Sequence, residues 1–168
     1  MTGLWTMLLV AVGGAIGAVA RGLAEAAGPA IGVTAWVMVL MVNILGCFII
    51  GLLLVWLECR LCRDGGSRLA THPGWRGLGN LPMPDPTLPA PEIARARRRL
   101  RLLSGLLMTG VLGGFTTFST VALDVVTLAE SGRLVEACLD VGLSVLGGVL
   151  AAIAGLELGI RHCRAARG

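Results

Sequence analysis

Gly110-Val111-Leu112-Gly113-Gly114-Phe115-Thr116-Thr117-Phe118-Ser119-Thr120-Val121 is the stretch on which the reading of this chain turns. It lies inside a long uncharged run, yet its three glycines and four hydroxyl side chains are poor material for a continuous lipid-facing helix. With no water in a bilayer core, an interrupted helix at that depth is tolerated only where protein or water covers it or an ion binds it. The stretch predicts a helix broken near its middle, with something polar handled at the break.

The rest of the chain makes the bilayer its solvent. Of 168 residues, 55% are hydrophobic and 14% charged, and the mean hydropathy is +0.83. That combination belongs to integral membrane proteins. All fourteen basic residues are arginines, most of them in one inter-helix segment and the C-terminal tail. They flank apolar spans, the pattern that orients a membrane protein, so the net charge of +4 reflects topology and no nucleic-acid partner is expected.

Four apolar runs read as transmembrane helices of a single all-α membrane domain, at about 4–21, 31–57, 102–123 and 134–160. At about 1.5 Å per residue, each nearly or fully crosses a hydrocarbon core of about 30 Å. No basic region precedes the first run, which is read as a retained span and not a cleaved signal peptide. Gly13 and Gly17 share one face of it, and Gly147, Ala151, Gly155 and Gly159 form a small-residue stripe on the fourth, both suited to close helix packing. Arg21, directly after the first span, either snorkels to the interface or pairs inside the protein. Asn43 sits near the middle of the second span, where its amide must find a partner. Glu136 and Asp140 are expected in the interfacial first turns of the last helix, where acidic residues are favourable.

Residues 58–101 break this character, with nine of the fourteen arginines and six of the seven prolines. They read as a long loop, with Glu92 to Arg101 as a short basic helix at the membrane surface, where Arg95, Arg97, Arg98, Arg99 and Arg101 can contact anionic lipid head groups. Such a segment belongs on the cytoplasmic side, and both termini follow it there. The five cysteines give no disulfide framework. Cys59 and Cys62 have C-x-x-C spacing with His72 downstream, which is half of a metal or redox site and lacks a second C-x-x-C.

At the central stretch, Gly113 and Gly114 free the backbone to leave helical geometry, so that unpaired carbonyls can coordinate a cation. If the helix resumes after Thr116, then Thr116, Ser119 and Thr120 share a face, with Phe118 and Val121 on the next. Hydroxyls donate hydrogen bonds to an anion, and an aromatic ring offers its positive edge. Alternatively the hydroxyls bond back to their own helix and Phe118 packs. Four spans are too few to enclose a wide aqueous channel, which predicts a dimer.

Gly14-x-x-Gly17-Ala18-x-x-Arg21, then Asn43-x-x-Gly46-x-Phe48-x-x-Gly51, then Gly113-Gly114-Phe115-Thr116-Thr117-Phe118-Ser119-Thr120, in that order, resemble the Fluc (CrcB) fluoride channel family. The resemblance covers all four spans and omits the central loop. It implies a dimer of antiparallel subunits with two narrow fluoride pores, passive fluoride export, and a structural sodium ion at the dimer centre. Sodium would be held by the carbonyls of Gly113 and Thr116. Asn43 and Phe118 map onto the pore-lining amide and first pore phenylalanine, Ser119, Thr120 and Ser144 onto the hydroxyl track, and Arg21 onto a structural position.

Two departures stand out. Where the family pattern continues with phenylalanine this chain has Val121, which has no ring edge to offer, and its arginine-rich loop favours a single orientation. Together they imply a heterodimer with a related, oppositely oriented subunit, the alternatives being a dual-topology homodimer or a non-conducting structural subunit. A small multidrug transporter would have the same size, but it needs a carboxylate in its first span, and none lies between Leu4 and Ala20. An enzyme is not expected, since His72 and His162 lie in the loop and tail without an acidic partner at a telling spacing.

Overall fold

The computed structural model describes residues 2–63, 95, 98–100 and 102–165. The loop reading of 58–101, with His72 and most of the Arg95 to Arg101 cluster, therefore falls chiefly outside the described residues. Those described are helical almost throughout, and four of the helical runs are long and apolar enough to cross a membrane. The chain is a multi-pass, all-α membrane protein.

Helix α1 spans Thr2–Ala27. It stops at Gly28-Pro29, where a short 3-10 turn, Pro29–Ile31, is closed by Gly32 at φ 73°, with the Gly32 N–H on the Pro29 carbonyl. A left-handed residue there calls for glycine. Helix α2 spans Ala35–Arg63 and so continues through Glu58 to Arg63, which the sequence reading gave to the loop. Helical hydrogen bonding does not end where the hydrocarbon does. The Arg60 guanidinium lies 4.6 Å over the Trp56 ring, an amphipathic pair of the kind that settles at the head-group level.

The third span is broken. Its first part, α3, is π-wound over Gly105–Leu112 and closed by the turn Gly113–Phe115. Thr116 (φ −78°, ψ 149°) and Thr117 (φ −146°, ψ 127°) are extended, and α4 begins at Phe118 and runs to Glu130. The interruption thus falls at the two threonines and not at the glycines, since Gly113 keeps helical angles of −66° and −30°. The cause is local: the Thr117 hydroxyl accepts the N–H of Thr120, an N-cap that requires an extended backbone at Thr117. A tight turn through Gly132 (φ 74°) leads to α5, Leu134–Ala165, and Arg133 there pairs with Glu136 in its first turn.

Glycines decide the packing. Along α1 and α3, contacts rise in step, from Gly13 against Leu106 and Gly110 to Gly17 against Val111 and Phe115, so the two helices are parallel. A Cβ on Gly17 would stand 2.7 Å from the Phe115 nitrogen, and one on Gly114 would stand 2.9 Å from the Gly14 Cα. These helices meet backbone to backbone, the arrangement that gains van der Waals contact where lipid supplies no hydrophobic drive. Helices α2 and α5 are parallel in the same way: Gly147 rests on Ile44, Gly155 on Phe48 and Leu52, and Gly159 on Val55. The stripe on the last helix is therefore spent within the chain.

Two expectations are corrected. Cys59 and Cys163 form a disulfide joining the ends of α2 and α5, with Cα atoms 6.3 Å apart. A separation of 104 residues leaves no spacing signal, and only the parallel docking of the two helices brings the pair together. Asp140, expected as a favourable charge in an early turn of α5, is fully enclosed by protein.

Candidate functional site

The break is held from α2. The Thr117 N–H donates to Asn43 Oδ1 at 2.8 Å, and Asn43 Nδ2 donates to the Thr117 carbonyl at 3.0 Å. One carboxamide thus satisfies both backbone groups of the residue that has left the helix, groups that would each be costly to leave unpaired in a bilayer. A primary amide carries two N–H donors, so this pairing uses one and leaves the second. Gly46, a turn further along α2, makes room for the Thr116 methyl.

Around Thr117 the hydroxyls converge. Thr117 Oγ1 lies 3.1 Å from Ser119 Oγ and 3.0 Å from Thr120 Oγ1. Thr116 bonds back instead, its Oγ1 donating to the Leu112 carbonyl at 2.9 Å. Arg21 turns inward: Nη1 reaches Glu25 Oε1 at 3.3 Å and Thr120 Oγ1 at 3.4 Å, and Nε reaches the Gly114 carbonyl at 3.5 Å. Its charge therefore ties α1 to both sides of the break.

The same break redirects two helical donors. The N–H of Thr117, which would have closed onto the Gly113 carbonyl, goes to Asn43, and the N–H of Thr120, which would have closed onto the Thr116 carbonyl, goes to Thr117 Oγ1. Both carbonyls are thereby released from the helical ladder.

Beside the break is an open groove of about 520 Å³ whose walls include Asn43, Thr116, Thr117, Phe118, Val121 and Ser144. It is apolar apart from the amide and hydroxyls. Phe118 is 85% exposed and stands at its edge, whereas Val121 is buried. Of the residues singled out in the sequence, Asn43, Thr116, Phe118, Val121 and Ser144 come together in this wall, while Ser119 and Thr120 meet it only through Thr117. Thr117 was missed. Its signal was present, a hydroxyl residue just before the apolar run of α4, the ordinary place for an N-cap.

The sequence pattern of the family described as "CrcB-like protein, Camphor Resistance (CrcB)" matches residues 8–156. The chain belongs to that family. The match takes in most of α1 and α5 and everything between, including the break and the groove. Among curated relatives, "Fluoride-specific ion channel FluC" of Ruegeria sp. (strain TM1040) is 39% identical over 165 residues, which cover 95% of this chain and 94% of that protein. "Fluoride-specific ion channel FluC 2" of Leifsonia xyli subsp. xyli is 34% identical over 154 residues, 92% of this chain and 83% of that protein. The protein of Roseobacter denitrificans with the same description as the first is 36% identical over 156 residues, covering 90% and 92%.

Proposed function

We propose that this chain is a subunit of a fluoride-specific channel that lets fluoride leave the cytoplasm by passive electrodiffusion. The family and its relatives support the ion. The observation that carries the reading for this chain is the groove, where an amide and hydroxyls stand along an otherwise apolar wall, with Phe118 at the edge and turned away from its own chain. Fluoride holds its water tightly, so a path for it must return hydrogen bonds as water is shed. The second N–H of Asn43, the hydroxyls and the ring edge of Phe118 are donors that do so without a fixed positive charge.

An open groove conducts nothing until a second surface closes it. The subunit works with an oppositely oriented partner, whose surface completes two narrow paths. The distribution of arginines favours the subunit's own termini and residues 58–101 on the cytoplasmic side, whereas the Cys59–Cys163 disulfide at those ends is commoner in an oxidising compartment. The released carbonyls of Gly113 and Thr116 are neutral oxygen donors of the kind a sodium ion takes, so these residues fit a structural cation at the subunit interface. Bound there, it would fix the break and offset the dipoles of the two released carbonyls.

Val121 favours a heterodimer, with the missing ring on the partner. A non-conducting structural subunit is the second reading, and the same residue favours it. Reconstitution into liposomes with a fluoride electrode separates them. Fluoride efflux with a related partner and little without it is expected; strong efflux from the chain alone, in one orientation, would sink the heterodimer, and no efflux in any combination would leave only the structural role.

A further inference from the structure

We propose that Asp140 is a positioning residue that decides where the Ser144 hydroxyl proton points, so that Ser144 serves as a donor to the anion path only while Asp140 itself holds a proton. The inference rests on the channel reading and concerns one wall of the groove. Ser144 lines that groove, and its Oγ donates to Asp140 Oδ1 at 3.3 Å, one helical turn away on α5. Asp140 is 0% exposed, and its Oδ2 is buried with no hydrogen-bond partner among the described residues.

A serine has a single O–H proton. With Asp140 ionised, that proton is committed to the carboxylate, and Ser144 turns only lone pairs toward the groove. Lone pairs repel an anion. When Asp140 takes a proton from solvent on Oδ1, the direction of the bond reverses: the carboxylic O–H donates to Ser144 Oγ, and the serine O–H is free to rotate into the groove. One proton is gained by the pair, one donor is delivered to the path, and no other bond changes. The negative charge beside the path disappears in the same step, so both consequences raise anion flux as pH falls.

Other charged groups share the neighbourhood, and Asp124 is a second candidate for a proton. From α4, Asp124 faces it, and the buried Oδ2 of Asp124 also lacks a partner among the described residues. From α1, Glu25 bears on Asp124, and the nearby cation Arg21 is engaged with Glu25, Thr120 and the Gly114 carbonyl. On α5 itself, Glu136 lies one turn earlier and is held by Arg133. From α2 the groove receives the Cys47 thiol and the Asn43 amide. No cation within this group is directed at Asp140.

The test is fluoride efflux against pH in the preparation that conducts, alone or paired, with protein-free vesicles subtracted because hydrogen fluoride crosses lipid unaided. Wild type should gain about tenfold in flux as Asp140 protonates, the factor carried by one hydrogen bond to a charged group. Ser144→Ala should keep only the shallower rise that loss of the Asp140 charge supplies, and Asp140→Asn should be flat. A Ser144→Ala profile as steep as wild type would overturn the relay, since bare charge repulsion would survive that change. Infrared titration decides the matter even if no preparation conducts, in which case the channel reading alone has failed. A protonated carboxyl band that is lost in Asp140→Asn and displaced in Ser144→Ala is expected; a band absent at every pH, or indifferent to Ser144→Ala, would refute the proposal.

Discussion

Asn43 and Thr117 exchange two hydrogen bonds, 2.8 and 3.0 Å long, across the contact between α2 and the broken span. The amide that the sequence marks as an anion donor is thus first of all the clamp on the backbone break. Asn43→Asp should damage both roles at once, because a carboxylate cannot donate to the Thr117 carbonyl and adds a negative charge along an anion path. Fluoride efflux should fall by more than about thirtyfold, beyond what the roughly 1–2 kcal/mol of one inter-helix bond accounts for. Faster hydrogen exchange at the Thr117 amide would report the loosened clamp directly.

The glycines divide into two groups with opposite expectations. Gly17→Ala or Gly114→Ala pushes a methyl into the backbone of the facing helix and should cost about 1–3 kcal/mol, seen as a lower thermal midpoint in detergent. Gly142→Ala meets nothing within 4 Å and should be neutral or stabilising by up to about 1 kcal/mol, since alanine is the better helix former.

Val121 lines the groove with Phe118, and Val121→Phe would place a second ring there. If the channel reading holds, fluoride efflux from the chain alone should rise on this change. The companion change Phe118→Val should abolish that gain. Both are read as efflux normalised to reconstituted protein.

The Cys59–Cys163 bridge should appear as a pair of peptides linked in non-reducing digests and separated by reductant. Its loop spans 104 residues, for which the chain-entropy account gives roughly 4–5 kcal/mol. Reduction, or Cys59→Ser, should therefore lower the thermal midpoint by several degrees, while Cys138→Ser should leave it unchanged.

Much of this was legible in the sequence, because the bilayer makes loud demands. Four apolar runs, the partner required by Asn43 and the glycine faces all follow from what lipid will not solvate, whereas Arg21 stays between two readings until its bonds to Glu25, Thr120 and the Gly114 carbonyl turn it inward. What escaped was settled by neighbours distant in sequence. Gly113 and Gly114 carry the signature of a flexible backbone, yet the structure uses Gly114 for close approach to Gly14 and lets the N-capping Thr117 make the break. Asp140 reads as an early-turn acidic residue because of its place near the start of a helix, but the fold leaves it fully buried. The bond between Cys59 and Cys163 has no local trace at all.

The backbone-to-backbone seam between α1 and α3 also constrains biogenesis. As the chain is synthesised, α1 and α2 emerge together, and α3 follows only after the intervening 58–101 segment has been made. Throughout that interval the bare faces of Gly13 and Gly17 have no mate, and the only neighbour present, α2, fits elsewhere. The first half of the protein must wait in the lipid with an unfilled slot shaped for one later arrival, and any helix bearing side chains in place of Gly110 and Gly114 is refused entry.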